Sequence, residues 1–253
     1  MEASRLGQQV QAFSRLFRGG EDSLWSTGDP SGHLGDSGLR SIAWKVSLGL
    51  LPARCTGDWT ALAMARRQAY QSFKQARLTE PSVAGHVDMD PTLNNPLCPA
   101  ENSPWANWSE VLEIRGIVQL DVGRLFPDTD YFAQPRVKAV ITDVLTLWSL
   151  KNTETSYRQG MHELLAPLVF VLDTEHCEPE AEQSCKAAPK ADVEILCAQL
   201  AAAYVEHDAY ALFSKLMERA VGNFETHHAV KRMRCGCVRT QLSLLPRLLC
   251  WGG

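Results

Sequence analysis

The chain has 253 residues, 45% of them hydrophobic and 21% charged, with a formal net charge of −4 at pH 7. That length can bury a substantial core, as one large domain or two small ones. The mild acidity leaves no basic footprint for nucleic acid, and no apolar run approaches the roughly 18 residues of a membrane-crossing helix. Eight cysteines, in a chain whose first twenty residues lack the apolar core of a secretory signal, predict reduced thiols and a cytoplasmic location.

Residues 4–17 put Leu6, Val10, Phe13, Leu16 and Phe17 on one side of a short amphipathic helix. Such a helix packs on a domain or lies on a membrane surface, and packing is the commoner fate. Residues 19–38, rich in Gly, Ser, Asp and Pro, read as a mobile linker. Asp36 or Ser37 can cap the helix that follows, which carries Arg40 and Trp44 four residues apart and closes by Pro52. Asp58 can cap a further helix to about Leu78, with Leu62, Ala65, Ala69 and Phe73 inward. Residues 79–104 hold five prolines and little periodicity, which marks an insert; within it Leu93-Asn94-Asn95-Pro96-Leu97 reads on its own as an Asn-Pro turn.

A helix over residues 105–124 bears Trp108, Val111, Leu112, Ile114, Ile117, Val118 and Leu120, and sets Arg124 three residues after Asp121. As plain structure that pair is a surface ion pair worth less than about 1 kcal/mol. As a functional pair, Asp121 orients the Arg124 guanidinium toward a phosphate. Residues 137–150 carry apolar side chains at 137, 140, 141, 144, 145 and 148, the stripe of an amphipathic helix. Next comes Tyr157-Arg158-Gln159-Gly160, ahead of an apolar segment over 164–172. Gly160 permits unusual backbone geometry beside Gln159, so a polar side chain leaves a turn whose sequel is buried. His162 and Glu163 read as helix-start residues, Glu163 suiting the positive end of the helix.

Residues 173–182 contain five acidic residues and no basic one, and 173–191 read as a solvated linker. Asp192 can cap a helix with Val193, Leu196 and Leu200 inward, and a last helix from Glu206 shows Phe213, Leu216 and Met217 as its stripe. Composition then changes, and 221–253 read as an atypical tail with a basic run. His227, His228, Cys235 and Cys237 have the atom types zinc uses but lack the usual paired-cysteine arm, so no metal is expected. No phosphate-binding loop of the G-x-x-x-x-G-K-[ST] kind and no G-x-S-x-G elbow occurs. Amphipathic helices with short polar connections and no alternating strands predict an all-α fold.

A helical spacer thus joins an arginine at one helix end to a glutamine in a Gly-terminated turn. GTP hydrolysis uses that pair: one group neutralises charge on the γ-phosphoryl oxygens, the other aligns the attacking water. Val118-x-x-Asp121-x-x-Arg124 resembles the IxxDxxR motif, Tyr157-x-Gln159-Gly160 the YxQG motif, and Arg40-x-x-x-Trp44 the RxxxW element of TBC-domain Rab GTPase-activating proteins. The longer strings around the first two motifs are most similar to the member-five branch of that family. Val118 stands where the pattern has Ile and Leu125 where many members have Thr.

The resemblance implies an activator of a Rab-family small GTPase rather than an enzyme with its own reaction. Arg124 and Gln159 act in trans, while Asp121, Tyr157, Gly160, Arg40 and Trp44 support them. GTP and Mg²⁺ are carried by the partner, so no cofactor is expected. It also implies that Leu93, Asn95, Pro96 and Leu97 touch the retromer coat complex, with endosomal recruitment, membrane traffic and autophagy as the setting. The motif resemblance ends near Arg219, which predicts a C-terminally truncated or alternatively spliced partial domain over 39–220. A catalytically inactive binding module or adaptor is the competing expectation.

Overall fold

The computed structural model describes residues 2–18, 34, 37–55, 58–81, 104–177 and 189–220. Among these, regular structure is helical apart from one isolated parallel bridge between Cys177 and Ala201. The helices are α1 (Glu2–Phe17), α2 (Arg40–Ser47), α3 (Trp59–Leu78), α4 (Pro104–Gly123) and α5 (Asp130–Ala133). They continue with α6 (Pro135–Lys151), α7 (Met161–Glu175), α8 (Lys190–Gln199) and, after a 3-10 turn at Ala202–Tyr204, α9 (Val205–Ala220). The chain forms two compact units, one from Met1–Arg66 and Pro167–Gly253, the other from Arg67–Ala166.

In the first unit the apolar stripe of α1 is buried at all five expected positions, and α1 packs on α8. Phe13, Phe17 and Trp59 meet ring to ring, with the Phe13–Trp59 centroids 5.7 Å apart and edge-on, a favourable quadrupole arrangement. Trp44 is buried beneath α2, and its Nε1 has no hydrogen-bond partner among the described residues, so its contribution is packing. A buried ion pair joins α2 to α9: Lys45 Nζ lies 2.7 Å from Asp208 and also donates to the Gln199 carbonyl at 2.9 Å. Phe213, Leu216 and Met217 are buried as expected.

The caps differ from the sequence reading. Asp36 lies outside the described residues, and Ser37 accepts the Leu39 N–H instead of capping α2. Glu175, at the end of α7, supplies the cap: its two carboxylate oxygens accept the N–H groups of Arg40 at 2.8 Å and Ser41 at 2.7 Å. An anionic acceptor is what the positive end of a helix favours. The start of the expected acidic linker is therefore helical and Glu175 is buried; residues 178–188 lie outside the described residues. Asp192 does not cap α8, whose N-cap is Pro189. It holds α1, accepting from Ser14 Oγ at 2.5 Å and Arg18 Nε at 2.7 Å. Within the expected linker 19–38, Leu34 is helical and buried.

In the second unit α4 packs along α6, and Asp143 of α6 forms ion pairs with Arg115 of α4 at 2.7 Å and Lys74 of α3 at 2.9 Å. Pro135 opens α6, where its fixed φ suits the first helical position. The later turns of α6 are buried all round, and their hydroxyls turn back on the helix: Thr146 to the Thr142 carbonyl and Ser149 to the Leu145 carbonyl, both at 2.7 Å. Burial is tolerable because each donor is satisfied. On α4 the core face is Val111, Val118 and Val122, whereas Leu112, Ile117 and Leu120 are exposed. Along α3 the buried positions are Trp59, Ala63, Arg67 and Tyr70; Leu62, Ala65 and Ala69 are exposed and Phe73 half-buried, so the expected inward face was out of phase.

Candidate functional site

Helix α4 ends at Gly123, one residue before Arg124, and the chain leaves it through tight turns: Arg124 N–H to the Asp121 carbonyl and Leu125 N–H to the Val122 carbonyl, both 3.3 Å. Leu125 is buried and Phe126, at φ 40, is exposed with its ring against Phe132, centroids 5.2 Å apart. Buried Leu125 anchors the turn from the core side, and Arg124 is left outward with 67% of its side chain exposed. Its terminal nitrogen lies 2.5 Å from Asp121 Oδ1. Asp121 itself is buried, and its other oxygen accepts the Tyr157 hydroxyl at 2.8 Å. One carboxylate therefore ties the helix end carrying Arg124 to the turn carrying Gln159.

The second turn is braced on both sides of Gln159. Ser156, at φ 50, sends its N–H to the Asn152 carbonyl at 2.7 Å. Met161 is buried; its N–H reaches the Arg158 carbonyl at 3.1 Å and its sulfur accepts the Arg158 N–H at 3.3 Å. Gly160 sits at φ 99, and a Cβ there would meet nothing within 4 Å, so conformation and not space demands glycine. Gln159 is exposed between these anchors. Ser156 and Phe126 are the described non-glycine residues at positive φ, and each lies within three residues of a candidate group. Such conformations persist where surrounding structure enforces them.

His162 stands in the first turn of α7, as its sequence position predicts. It is buried, and its Nδ1 lies 2.9 Å from the Tyr157 hydroxyl and 4.0 Å from Asp121 Oδ2. No periodicity signals this contact, because a turn at Gly160 intervenes between residues five apart.

The electrostatics follow from that geometry. Burial alone would raise the Asp121 carboxyl, but the hydrogen bonds from Arg124 and Tyr157 and the nearby His162 outweigh it, holding the group below its ordinary value. The Arg124 guanidinium is raised by the Asp121 bond and charge, so it remains a cation. Burial, with the Asp121 bond beside it, pushes the Tyr157 phenol up, which keeps it a hydrogen-bond donor. Burial pushes the His162 imidazole down, against the pull of Asp121 and Glu163. The cluster thus has one exposed cation, a fixed carboxylate behind it, a phenol that donates and an imidazole pushed toward its neutral form. A guanidinium has five N–H donors, and the Asp121 bond leaves others free for an incoming anion.

Arg124, Asp121, Tyr157, Gln159 and Gly160 all belong to the second unit. Arg40 and Trp44 belong to the first, where the Arg40 N–H and the buried Trp44 ring serve the α2 framework. Leu93, Asn95, Pro96 and Leu97, and the 221–253 tail with His227, His228, Cys235 and Cys237, lie outside the described residues. Among the described residues no group of three or more His, Cys, Asp or Glu is placed to hold a metal ion, and no helix is long and apolar enough to cross a membrane.

Residues 102–249 match a family model described as RabGAP-TBC, the Rab-GTPase-TBC domain. The match runs on past Arg219, where the motif resemblance was expected to end. TBC1 domain family member 5 of Mus musculus is 39% identical over 199 residues, covering 78% of this chain and 23% of the relative. The Homo sapiens protein of the same name is 39% identical over 199 residues, with 24% of it covered. TBC1 domain family member 5 homolog B of Dictyostelium discoideum is 30% identical over 188 residues, 74% of this chain and 17% of the relative. The chain therefore spans about a quarter or less of the length of these relatives. Among solved structures, the Ypt/Rab-GAP domain of Gyp1p shares the fold, with a TM-score of 0.53 at 17% identity over 97% of this chain and 66% of that one.

Proposed function

The chain belongs to the Rab-GTPase-TBC domain family, and from that premise we propose that it activates GTP hydrolysis by a Rab-family small GTPase. Arg124 is the group presented to the transferring phosphoryl, and Gln159 aligns the attacking water; GTP and Mg²⁺ come with the partner. The observation that carries this reading is the Tyr157–Asp121–Arg124 chain of hydrogen bonds, which couples the two motifs through one buried carboxylate. A transition state with charge spread over three equatorial oxygens is stabilised by a pre-oriented cation, and an arginine supplied in trans accelerates hydrolysis on the order of 10³–10⁵-fold. The chain carries out no independent reaction.

By the motif resemblance, Leu93, Asn95, Pro96 and Leu97 form a contact for retromer, and the protein is recruited from the cytoplasm to endosomal membranes. Single-turnover GTP hydrolysis across a panel of Rab proteins tests the catalytic reading. Acceleration by the unmutated chain, lost in both Arg124→Ala and Gln159→Ala, is the expected result. Acceleration that survives both substitutions would overturn the assignment. Binding without any acceleration would support the adaptor alternative instead.

A further inference from the structure

The geometry points to His162 as a positioning residue for Arg124, acting through the Tyr157 hydroxyl on Asp121. A tyrosine hydroxyl has a single proton, and here it faces two possible acceptors: Asp121 Oδ2 at 2.8 Å and His162 Nδ1 at 2.9 Å. Which one receives the proton is decided by the imidazole. If Nδ1 carries a hydrogen, it donates to the Tyr157 oxygen, and the hydroxyl is left to donate to Asp121. The carboxylate then has one oxygen held by Tyr157 and the other by Arg124, and it cannot turn without breaking a bond. If Nδ1 is bare, the imidazole competes for the tyrosine proton and the carboxylate loses its second anchor.

His162 is enclosed where this matters, with 7% of its side chain exposed. The charged and titratable groups facing it are Asp121 and Arg124 at the end of α4, Tyr157 in the turn, and Glu163 on its own helix, whose Oε1 lies 4.0 Å from Nε2. At that distance Glu163 does not fix the Nε2 proton by a direct hydrogen bond. Its carboxylate is also largely exposed and solvent-screened. The near partner of the ring is therefore Tyr157. A relay of this kind, His162 Nδ1–H to Tyr157 O–H to Asp121, with Arg124 on the far oxygen, sets the direction of the guanidinium from a side chain that is itself buried. Small misplacements of a reacting group cost up to about 100-fold in rate.

The inference rests on the reading of Arg124 as the phosphate-facing group, so its test includes an arm that needs no GTPase. Long-range ¹H–¹⁵N correlation spectra of the ¹⁵N-histidine-labelled chain report which ring nitrogen of His162 is protonated, and guanidinium spectra report the order of Arg124. The expected result is a protonated Nδ1, with the Arg124 resonances broadened or shifted in His162→Leu and restored in His162→Asn, whose amide N–H replaces that donor. In turnover assays His162→Leu should lower kcat by about 10- to 100-fold with KM little changed, and His162→Asn should recover most of it. A bare Nδ1 in the unmutated chain, or Arg124 resonances indifferent to His162→Leu, would overturn the proposal. Should His162→Leu fail to fold, the tautomer of the unmutated chain decides the matter. Absence of acceleration by a chain whose spectra show the relay would count against the catalytic reading alone.

Discussion

The two carboxylate oxygens of Asp121 hold Arg124 on one side and Tyr157 on the other. Its carboxyl is held below the ordinary value because two donors and a neighbouring imidazole outweigh its burial. A group with a depressed folded value contributes stability that is present above the ordinary carboxylate range and lost as pH falls through the folded value. Denaturant unfolding measured down a pH series should therefore show an acid loss that shrinks in Asp121→Asn, while the same variant accelerates hydrolysis poorly even at neutral pH. Gly160 makes a second residue-scale prediction. Since φ 99 is a glycine conformation and a Cβ would meet no neighbour, Gly160→Ala should cost about 1–3 kcal/mol through backbone strain. A thermal melt checks that cost, and an unchanged midpoint would contradict it. Arg124, Gln159, Tyr157 and Gly160 were legible as motif letters. His162 was not, because its role comes from a contact across a turn that no spacing rule encodes.

Between elements, buried polar groups fix how the helices meet. Lys45 and Asp208 are both buried, and truncating one partner strands the other's charge. Asp208→Ala should cost about 3–5 kcal/mol, read as a fall in the denaturation midpoint. Glu175→Ala, which leaves the N–H groups of Arg40 and Ser41 without their acceptor, should cost about 1–3 kcal/mol. The α1 and α9 stripes were legible because their apolar residues leave one consistent phase, whereas on α6 Leu147 and Leu150 are buried off the expected stripe. On α3 two stripes compete: Leu62, Ala65, Ala69 and Phe73 against Trp59, Ala63, Arg67 and Tyr70. The second wins on the area of its two aromatics, and a buried arginine in its middle disguised it. Along α4, apolar residues surround the helix, so periodicity could not select Val111, Val118 and Val122 over Leu112, Ile117 and Leu120. The caps by Glu175 and the anchoring role of Asp192 arise from residues distant in sequence, beyond the reach of local cap rules.

For the whole molecule the all-α class followed from helical periodicity alone. The division into compact units did not, since its boundaries at 66/67 and 166/167 fall inside α3 and α7, where composition does not change. Arg124, Gln159, Asp121, Tyr157 and His162 all lie in the one unit between those boundaries, as one preassembled cluster. Catalysis requires that such a cluster fit the transition state better than the ground state. Gel filtration of the chain with a Rab protein loaded with GDP and aluminium fluoride, a mimic of the transferring phosphoryl group, tests that claim most directly. Co-elution that requires aluminium fluoride and disappears in Arg124→Ala is the expected result. Co-elution indifferent to fluoride and to Arg124→Ala would contradict it.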